Sequence, residues 1–89
     1  MLSHEMEVAA IPPRLLQAMR WVLRDPDLGV SASTRLEDLT GWDSMAHISL
    51  MVETECRFDV MFEVAEIEAV RTVGDIVDLL RTKAGVQSS

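Results

Sequence analysis

The sequence predicts an all-α protein, a bundle of three to four helices with a long first loop. Apolar residues recur at helical spacing in several segments, and the residues that favour helices, such as Leu, Ala, Glu and Met, are plentiful while Tyr is missing. Only residues 58–62 alternate as a strand would, and this stretch is too short to build a sheet. At 89 residues, 48% of them hydrophobic, the chain has the size of one domain with its own core.

The first helix is predicted over about residues 12–24. Pro12 and Pro13 suit a helix start, and Pro26 ends the segment because proline disfavours helical backbone in the residue before it. Residues 1–11 lack periodicity and are expected to form a flexible tail. The apolar residues of the first helix are Leu15, Leu16, Met19, Val22 and Leu23.

A long connection, residues 25–43, follows the first helix. Thr34 and Glu37 have the spacing of a capping box, which predicts a short helical turn at 34–39. So long a loop needs anchoring in a small domain. We expect five apolar residues to hold it across the bundle: Leu28, Val30, Leu36, Leu39 and Trp42.

The second helix is predicted over residues 44–57, and its apolar residues are too many for one buried face. We therefore expect some of Met45, Met51 and Val52 to face solvent or a partner. Cys56 is counted with this apolar set, since a lone helical cysteine is more often a small buried hydrophobe than a reactive thiol.

The remaining helices are predicted over residues 63–69 and 72–84. In the connector before them, Phe58 and Val60, or Phe62, should fill the core. The last helix begins with a second capping-box pattern, Thr72 to Asp75. Residues 12–84 thus form the predicted domain, and residues 85–89 are expected to be frayed.

The net charge of −7 is unevenly placed. Residues 36–89 hold eleven acidic against four basic residues, whereas residues 1–35 are balanced. Such a surface disfavours nucleic acid and anionic membranes, and favours proteins with basic patches. The first residues lack the basic and apolar regions of a signal peptide, and no stretch approaches the length of a membrane span. The expected compartment is the cytoplasm.

The sequence does not predict a metal site, a phosphate-binding glycine loop, an acid–base pair or a hydrolase site. His4, His47 and Cys56 are too far apart in sequence for a metal-ligand motif, and no phosphate-binding glycine loop occurs. Glu53 and Glu55 lie on opposite sides of a helix, which does not suit an acid–base pair. A hydrolase using Ser44 and His47 is disfavoured because the nucleophile-elbow motif is missing.

The segment Gly41-Trp42-Asp43-Ser44-Met45, at the start of the second helix, allows two hypotheses. In the first, Asp43 or Ser44 only caps the helix. In the second, Ser44 accepts a phosphate ester, which the positive end of a helix dipole favours. Asp43 would then help to bind the divalent metal of a transferase.

From Leu36 to Leu80 the sequence resembles the acyl and peptidyl carrier proteins. The resemblance includes Gly41-x-Asp43-Ser44-Met45, where the family has Gly-x-Asp-Ser-Leu, and continues through Leu50-Met51-Val52-x-x-Glu55-x-x-Phe58. A Thr-Val cap, Thr72-Val73-Gly74-Asp75, follows Ser44 by 28 residues, as is typical of the family.

The resemblance implies a non-catalytic, free-standing, monomeric carrier. Ser44 would receive 4′-phosphopantetheine from coenzyme A through a magnesium-dependent phosphopantetheinyl transferase, and an acyl or aminoacyl thioester would form on the arm. An acidic second helix would meet basic patches on a loading ligase or acyltransferase and on downstream enzymes. The implied partner-contacting residues are Asp43, Met45, Ile48, Val52 and Glu55.

Departures from the family pattern favour a specialised biosynthetic pathway over fatty-acid synthesis. Met45 replaces the usual Leu, Thr54 stands where a core Leu is common, and Ser49 and Cys56 occupy positions that are often acidic. His47 is expected to be exposed and inert, although it could approach a phosphate on Ser44. Trp42 is expected at the edge of the core. An alternative function is a carrier-like helical adaptor without a prosthetic arm.

Overall fold

A computed structural model describes residues 11–84 and contains four α-helices and one 3₁₀ turn in that range. The helices are α1 (Pro13–Leu23), α2 (Ser44–Phe58), α3 (Val64–Ala69) and α4 (Val73–Ala84). The 3₁₀ turn, Leu36–Asp38, lies in the long loop between α1 and α2. The predicted all-α fold is therefore confirmed. The predicted tails, apart from Ile11, lie outside the described residues; Ile11 itself packs partly buried against the core.

The core is formed by one face of each of α1, α2 and α4, together with single residues from the connections. Amphipathic helices bury such a face because removing apolar surface from water is the main favourable term in folding. Phe62 is buried and Phe58 and Val60 are half-buried, so the predicted connector does fill the core. The buried hydrophobic residues are Leu15, Ala18, Met19, Leu36, Leu50, Met51, Phe62, Val70, Val73, Ile76, Val77 and Leu80.

The long loop is held to the rest of the domain as predicted, with Leu36 buried and the other four apolar residues partly buried against the core. Backbone hydrogen bonds add a second attachment. The N–H of Leu36 donates to the Arg71 carbonyl at 3.0 Å, and the N–H of Val73 donates to the Thr34 carbonyl at 3.0 Å. The loop thus runs antiparallel to the residues that open α4.

Gly74 permits the closest approach between the loop and α4. Its N–H donates to the Ala32 carbonyl at 2.8 Å, and a Cβ at this position would lie 2.9 Å from that oxygen. Any side chain would push the loop away, which explains a glycine in the first turn of a helix.

The bonds at two helix starts differ from the sequence prediction or were not predicted. The short helical turn predicted at 34–39 is present as the 3₁₀ turn, but its predicted capping box is wrong. The Thr34 hydroxyl accepts the N–H of Ser31, and Arg35 occupies the cap position without a side-chain cap bond. An unpredicted bond occurs at α3, where the Glu66 carboxylate accepts the N–H of Glu63 at 2.8 Å. This N–H, and then the ammonium of Lys83 at 2.8 Å, hold the pKa of Glu66 below its usual 4.5.

The capping box predicted at the start of α4 is confirmed. The N–H of Asp75 donates to the Thr72 hydroxyl at 3.2 Å, and the Asp75 carboxylate accepts the N–H of Thr72 at 3.0 Å. The same carboxylate accepts the N–H of Arg71 at 2.8 Å. The Arg71 N–H, then that of Thr72, hold the pKa of Asp75 below its usual 3.8.

The structure also decides which residues of α2 are buried. Met51 is buried while Met45 and Val52 face outward, so only two of the three residues considered for exposure are exposed. Thr54 is fully buried, and its hydroxyl donates to the Leu50 carbonyl at 2.7 Å, which satisfies the one polar group. Cys56 is exposed, so its assignment to the buried apolar set was wrong.

Candidate functional site

The candidate site lies where the long loop enters α2. Gly41 has φ of 82°, a left-handed conformation that favours glycine, and it turns the chain between the 3₁₀ turn and the helix. The N–H of Trp42 donates to the Leu39 carbonyl at 3.1 Å, which closes this turn. Ser44 is then the first helical residue and is exposed.

Asp43, and not Ser44, caps α2. The Asp43 backbone is extended, and its Oδ1 accepts the N–H of Ala46 at 2.8 Å. Within residues 11–84 the Ser44 hydroxyl makes no hydrogen bond that holds the fold together. The capping hypothesis therefore accounts for Asp43 and leaves an exposed hydroxyl at the positive end of a 15-residue helix.

Trp42 and His47 form a wall beside Ser44. Their rings meet edge to face with centroids 5.8 Å apart and an interplanar angle of 84°. Trp42 is partly buried against the core, which confirms its predicted place at the core edge.

His47 is not the exposed, inert residue that the sequence predicted. It is partly buried, and its Nε2 lies 2.8 Å from the carbonyl oxygen of Ile67. A carbonyl can only accept, so Nε2 carries the proton and donates. His47 thereby joins α2 to α3. In the described part of the chain no hydrogen bond links it to Ser44, as a hydrolase would need.

A shallow open depression of about 530 Å³ adjoins Ser44. Ile48 lines it together with Trp42 and His47. Arg71 is the one arginine or lysine of this lining, and the sequence did not predict it because no local pattern marks it. The lining residues are Glu37, Trp42, Asp43, Ser44, His47, Ile48, Glu68 and Arg71.

The charges around Ser44 act in two directions. The N–H groups and dipole at the start of α2 favour a phosphate ester on the hydroxyl. Arg71, whose guanidinium also donates to the Glu68 and Val70 carbonyls, adds positive charge to the same depression. The carboxylates of Glu37, Asp43 and Glu68 oppose it, although their effect is weakened by solvent at so open a site. An anchored phosphodiester with its chain leading into solvent fits these residues.

The apolar residues predicted to meet partners lie together on the outer face of α2. Met45 is 71% exposed, Ile48 50% and Val52 49%. Their spacing of three and four residues places them in one stripe that continues from Ser44 along the helix. Such a stripe is typical of interaction surfaces.

The two glutamates of α2, Glu53 and Glu55, bind other groups of the same protein, which was not predicted. A carboxylate oxygen of Glu53 lies 2.7 Å from Nε of Arg57, and the Glu55 carboxylate accepts the N–H of Phe62 at 2.7 Å. The expected acidic surface of this helix is therefore weak. Most of the negative charge of residues 36–89 lies instead in the loops and on α3 and α4.

Comparisons with known proteins agree with this geometry. Residues 13–80 match the family model described as "Phosphopantetheine attachment site". The chain belongs to the phosphopantetheine-binding carrier protein family. An acyl carrier protein of Thermotoga maritima is 36% identical over 56 residues, which cover 63% of this chain and 69% of that protein.

Two solved structures share the fold of this carrier protein. The holo acyl carrier protein from Geobacter metallireducens superposes with a TM-score of 0.73 at 28% identity, covering 83% of this chain and 88% of that one. A putative acyl carrier protein from Mycobacterium tuberculosis gives a TM-score of 0.70 at 28% identity, covering 76% and 90%. The acyl-carrier-protein-like fold predicted from the sequence is thus confirmed.

Family membership also establishes the cofactor. The chain carries a covalently attached 4′-phosphopantetheine, as its family and its Thermotoga maritima relative imply. Carrier proteins of this kind are generally not catalysts. Among residues 11–84, no helix is long and apolar enough to span a membrane, and no cluster of three or more acidic, His or Cys residues could hold a metal.

Proposed function

We propose that Ser44 is the attachment site of 4′-phosphopantetheine and that residues 12–84 form a free-standing, monomeric carrier domain. The observation that supports this proposal is that Asp43, and not Ser44, caps α2. Ser44 is exposed, so its hydroxyl is available for modification. When bound, the arm supplies a terminal thiol on which cargo is held as a thioester. Ser44 would hold the arm, and Arg71 with the α2 N-terminus would favour its phosphate.

We assign modification to a phosphopantetheinyl transferase that uses magnesium and coenzyme A. One oxygen of the Asp43 carboxylate accepts the N–H of Ala46, and the other makes no hydrogen bond within residues 11–84. That second oxygen is proposed to bind the magnesium ion when the carrier and the transferase form a complex. Met45, Ile48 and Val52 provide an apolar contact surface for the transferase and for later enzymes.

Glu55 belongs to the proposed partner surface with a second, structural task. Its carboxylate accepts the N–H of Phe62 and so holds the connection between α2 and α3. A partner that binds Glu55 therefore contacts a side chain that also stabilises the fold. A loading ligase or acyltransferase, and the enzymes downstream of it, are the proposed partners in the cytoplasm.

The cargo is proposed to be an acyl or aminoacyl group of a specialised biosynthetic pathway. Ser49 and Cys56 support this, because both are exposed on α2 where carriers of fatty-acid synthesis often have acidic residues. Partners that expect an acidic α2 would lose charge attraction here.

The test is intact-mass spectrometry after incubation with coenzyme A, magnesium and a broad-specificity phosphopantetheinyl transferase. The wild-type chain and Ser49→Ala should each gain one phosphopantetheine, and Ser44→Ala should gain none. Ser49 is the matched control because it is an exposed serine on the same helix. Failure of the wild-type chain to gain mass would favour the adaptor without an arm. An equal gain in Ser44→Ala would move the attachment site elsewhere.

A further inference from the structure

The groove between α1 and α2 has the composition of a binding surface. The two helices pack together in the core, and outside it they enclose an open groove of about 1070 Å³. Trp21 of α1 lies in this groove and is 68% exposed. Ile48 and Val52 line it from α2. A large exposed apolar side chain and two half-exposed ones thus line one groove, and among residues 11–84 they remain accessible to a partner.

The charge of the groove is opposite to that of the chain. Its lining contains three arginines, Arg20, Arg24 and Arg57, against a single carboxylate, that of Glu53. Glu53 is already paired with Arg57. Within residues 11–84, Arg20 and Arg24 form no ion pair, and the Nε of Arg20 donates to the Leu28 carbonyl at 2.9 Å. On a protein of net charge −7, this groove is a local positive surface.

The residue types also indicate a protein partner. Tryptophan and arginine are enriched among the interface residues whose truncation costs the most binding energy, and the groove contains Trp21 and three arginines. The guanidinium group forms paired hydrogen bonds with carboxylates, so acidic side chains are the matching chemistry.

We propose that the α1–α2 groove binds an acidic amphipathic segment of a partner protein, with its apolar side on Trp21, Ile48 and Val52 and its carboxylates on the arginines. The proposal rests on the proposed function only for Ile48 and Val52, which also belong to the partner surface proposed above. The groove extends that surface onto α1, away from Ser44. Its arginines favour an acidic partner, whereas the sequence predicted basic ones.

The experiment uses ¹⁵N- and methyl-labelled Ser44→Ala chain that has not been treated with a transferase, with its unmodified state checked by intact mass, so that no arm takes part in binding. Two synthetic amphipathic helices with the same leucine stripe are titrated in, one flanked by glutamates and the other by lysines. The glutamate peptide should shift the Trp21 indole and the Ile48 and Val52 methyl signals, and added salt should weaken its binding. The lysine peptide should leave these signals in place.

Charge reversal tests the arginines directly. Arg24→Glu should weaken binding of the glutamate peptide about tenfold, whereas Arg81→Glu, an exposed arginine of α4 outside the groove, should change it less than about twofold. Trp21→Ala should weaken it similarly to Arg24→Glu, with Met61→Ala as the exposed apolar control. Circular dichroism checks that each variant is folded, which matters for Arg24 because its φ is 55°.

Three results would overturn the proposal. The first is that the glutamate peptide causes no shifts in the groove, and the second is that the lysine peptide binds there as well or better. The third is that phosphatidylglycerol vesicles, and not the peptide, shift the same signals, because the groove would then be a membrane surface.

Discussion

Replacement of Asp43 separates its role as a helix cap from the role proposed for it in arm transfer. Its Oδ1 accepts the N–H of Ala46 at 2.8 Å, and its charge lies at the positive end of the α2 dipole. Loss of the cap costs about 1 kcal/mol, and loss of the charge costs about 0.5 kcal/mol. Asp43→Ala should therefore lower the free energy of unfolding by about 1.5 kcal/mol, and Asp43→Asn, which can still cap, by about 0.5 kcal/mol.

Urea denaturation followed by the circular dichroism of the helices measures this difference. The slope with urea should stay constant, and the melting temperature should fall by about 4–8 °C for each kcal/mol. Ser49→Ala is the matched control, because it removes an exposed side chain from the same helix without touching the cap. Wild-type stability in Asp43→Ala would refute the cap. Equal losses in the Ala and Asn variants would show that the charge, and not the hydrogen bond, supplies the stability.

The same two variants test the proposed metal contact. If the Asp43 carboxylate binds the transferase magnesium, both variants should accept the arm more slowly than wild type, although Asp43→Asn keeps nearly all its stability. Modification of Asp43→Asn at the wild-type rate would show that Asp43 only caps α2.

Three further predictions concern the parts of the fold that support the site. Thr54→Val should change the free energy of unfolding by less than about 0.5 kcal/mol, because the Leu50 carbonyl keeps its helical backbone partner when the buried hydroxyl is lost. Urea denaturation measures this change, and a loss of several kcal/mol would contradict the prediction. His47→Ala should cost about 1–2 kcal/mol through loss of the bond to Ile67 and of packing against Trp42; unchanged stability would show that this link is unimportant. The N–H of Arg71, then that of Thr72, lower the pKa of Asp75 from 3.8, so its stabilising contribution is complete above pH 3.8 and is lost as the pH falls through the lowered value. Asp75→Asn should therefore be less stable near neutral pH and lose less stability on acidification, and an acid limb identical to that of wild type in urea titrations would refute this.

The helices were predictable because their apolar periodicity and end signals agree. The structure places α2 at Ser44–Phe58 and α4 at Val73–Ala84, each within one residue of the predicted bounds. The cap at Thr72 was predictable because Thr-x-x-Asp is a local pattern. Thr34 is in a similar pattern, but its hydroxyl accepts the N–H of Ser31, three residues before it, and does not cap the turn that follows.

What the sequence could not determine is which side of each helix meets another element. Cys56 and Met51 were both possible members of the buried face of α2, and only tertiary packing places Met51 inside and Cys56 outside. The bond from His47 to Ile67 joins residues 20 positions apart, so no local pattern indicates it. The loss of an acidic surface on α2 is also tertiary, since it depends on Glu55 reaching Phe62.

Within the candidate site, the sequence predicted Ser44 and its neighbours but not Arg71. Gly41, Asp43 and Ser44 lie within four consecutive residues, and their roles as turn, cap and exposed hydroxyl follow from local backbone preferences. Arg71 reaches the same depression because the loop pairs with the start of α4 through Leu36. Such long-range pairing leaves no signal near either residue.

The most direct test of the carrier function is the location of the arm in the modified wild-type chain. Tandem mass spectrometry of its peptides, after treatment with transferase, coenzyme A and magnesium, identifies the modified serine. Phosphopantetheine should be found on Ser44 alone, with Ser49 in the same helix unmodified. Phosphopantetheine on another serine, or none on a folded chain, would contradict the assignment of Ser44.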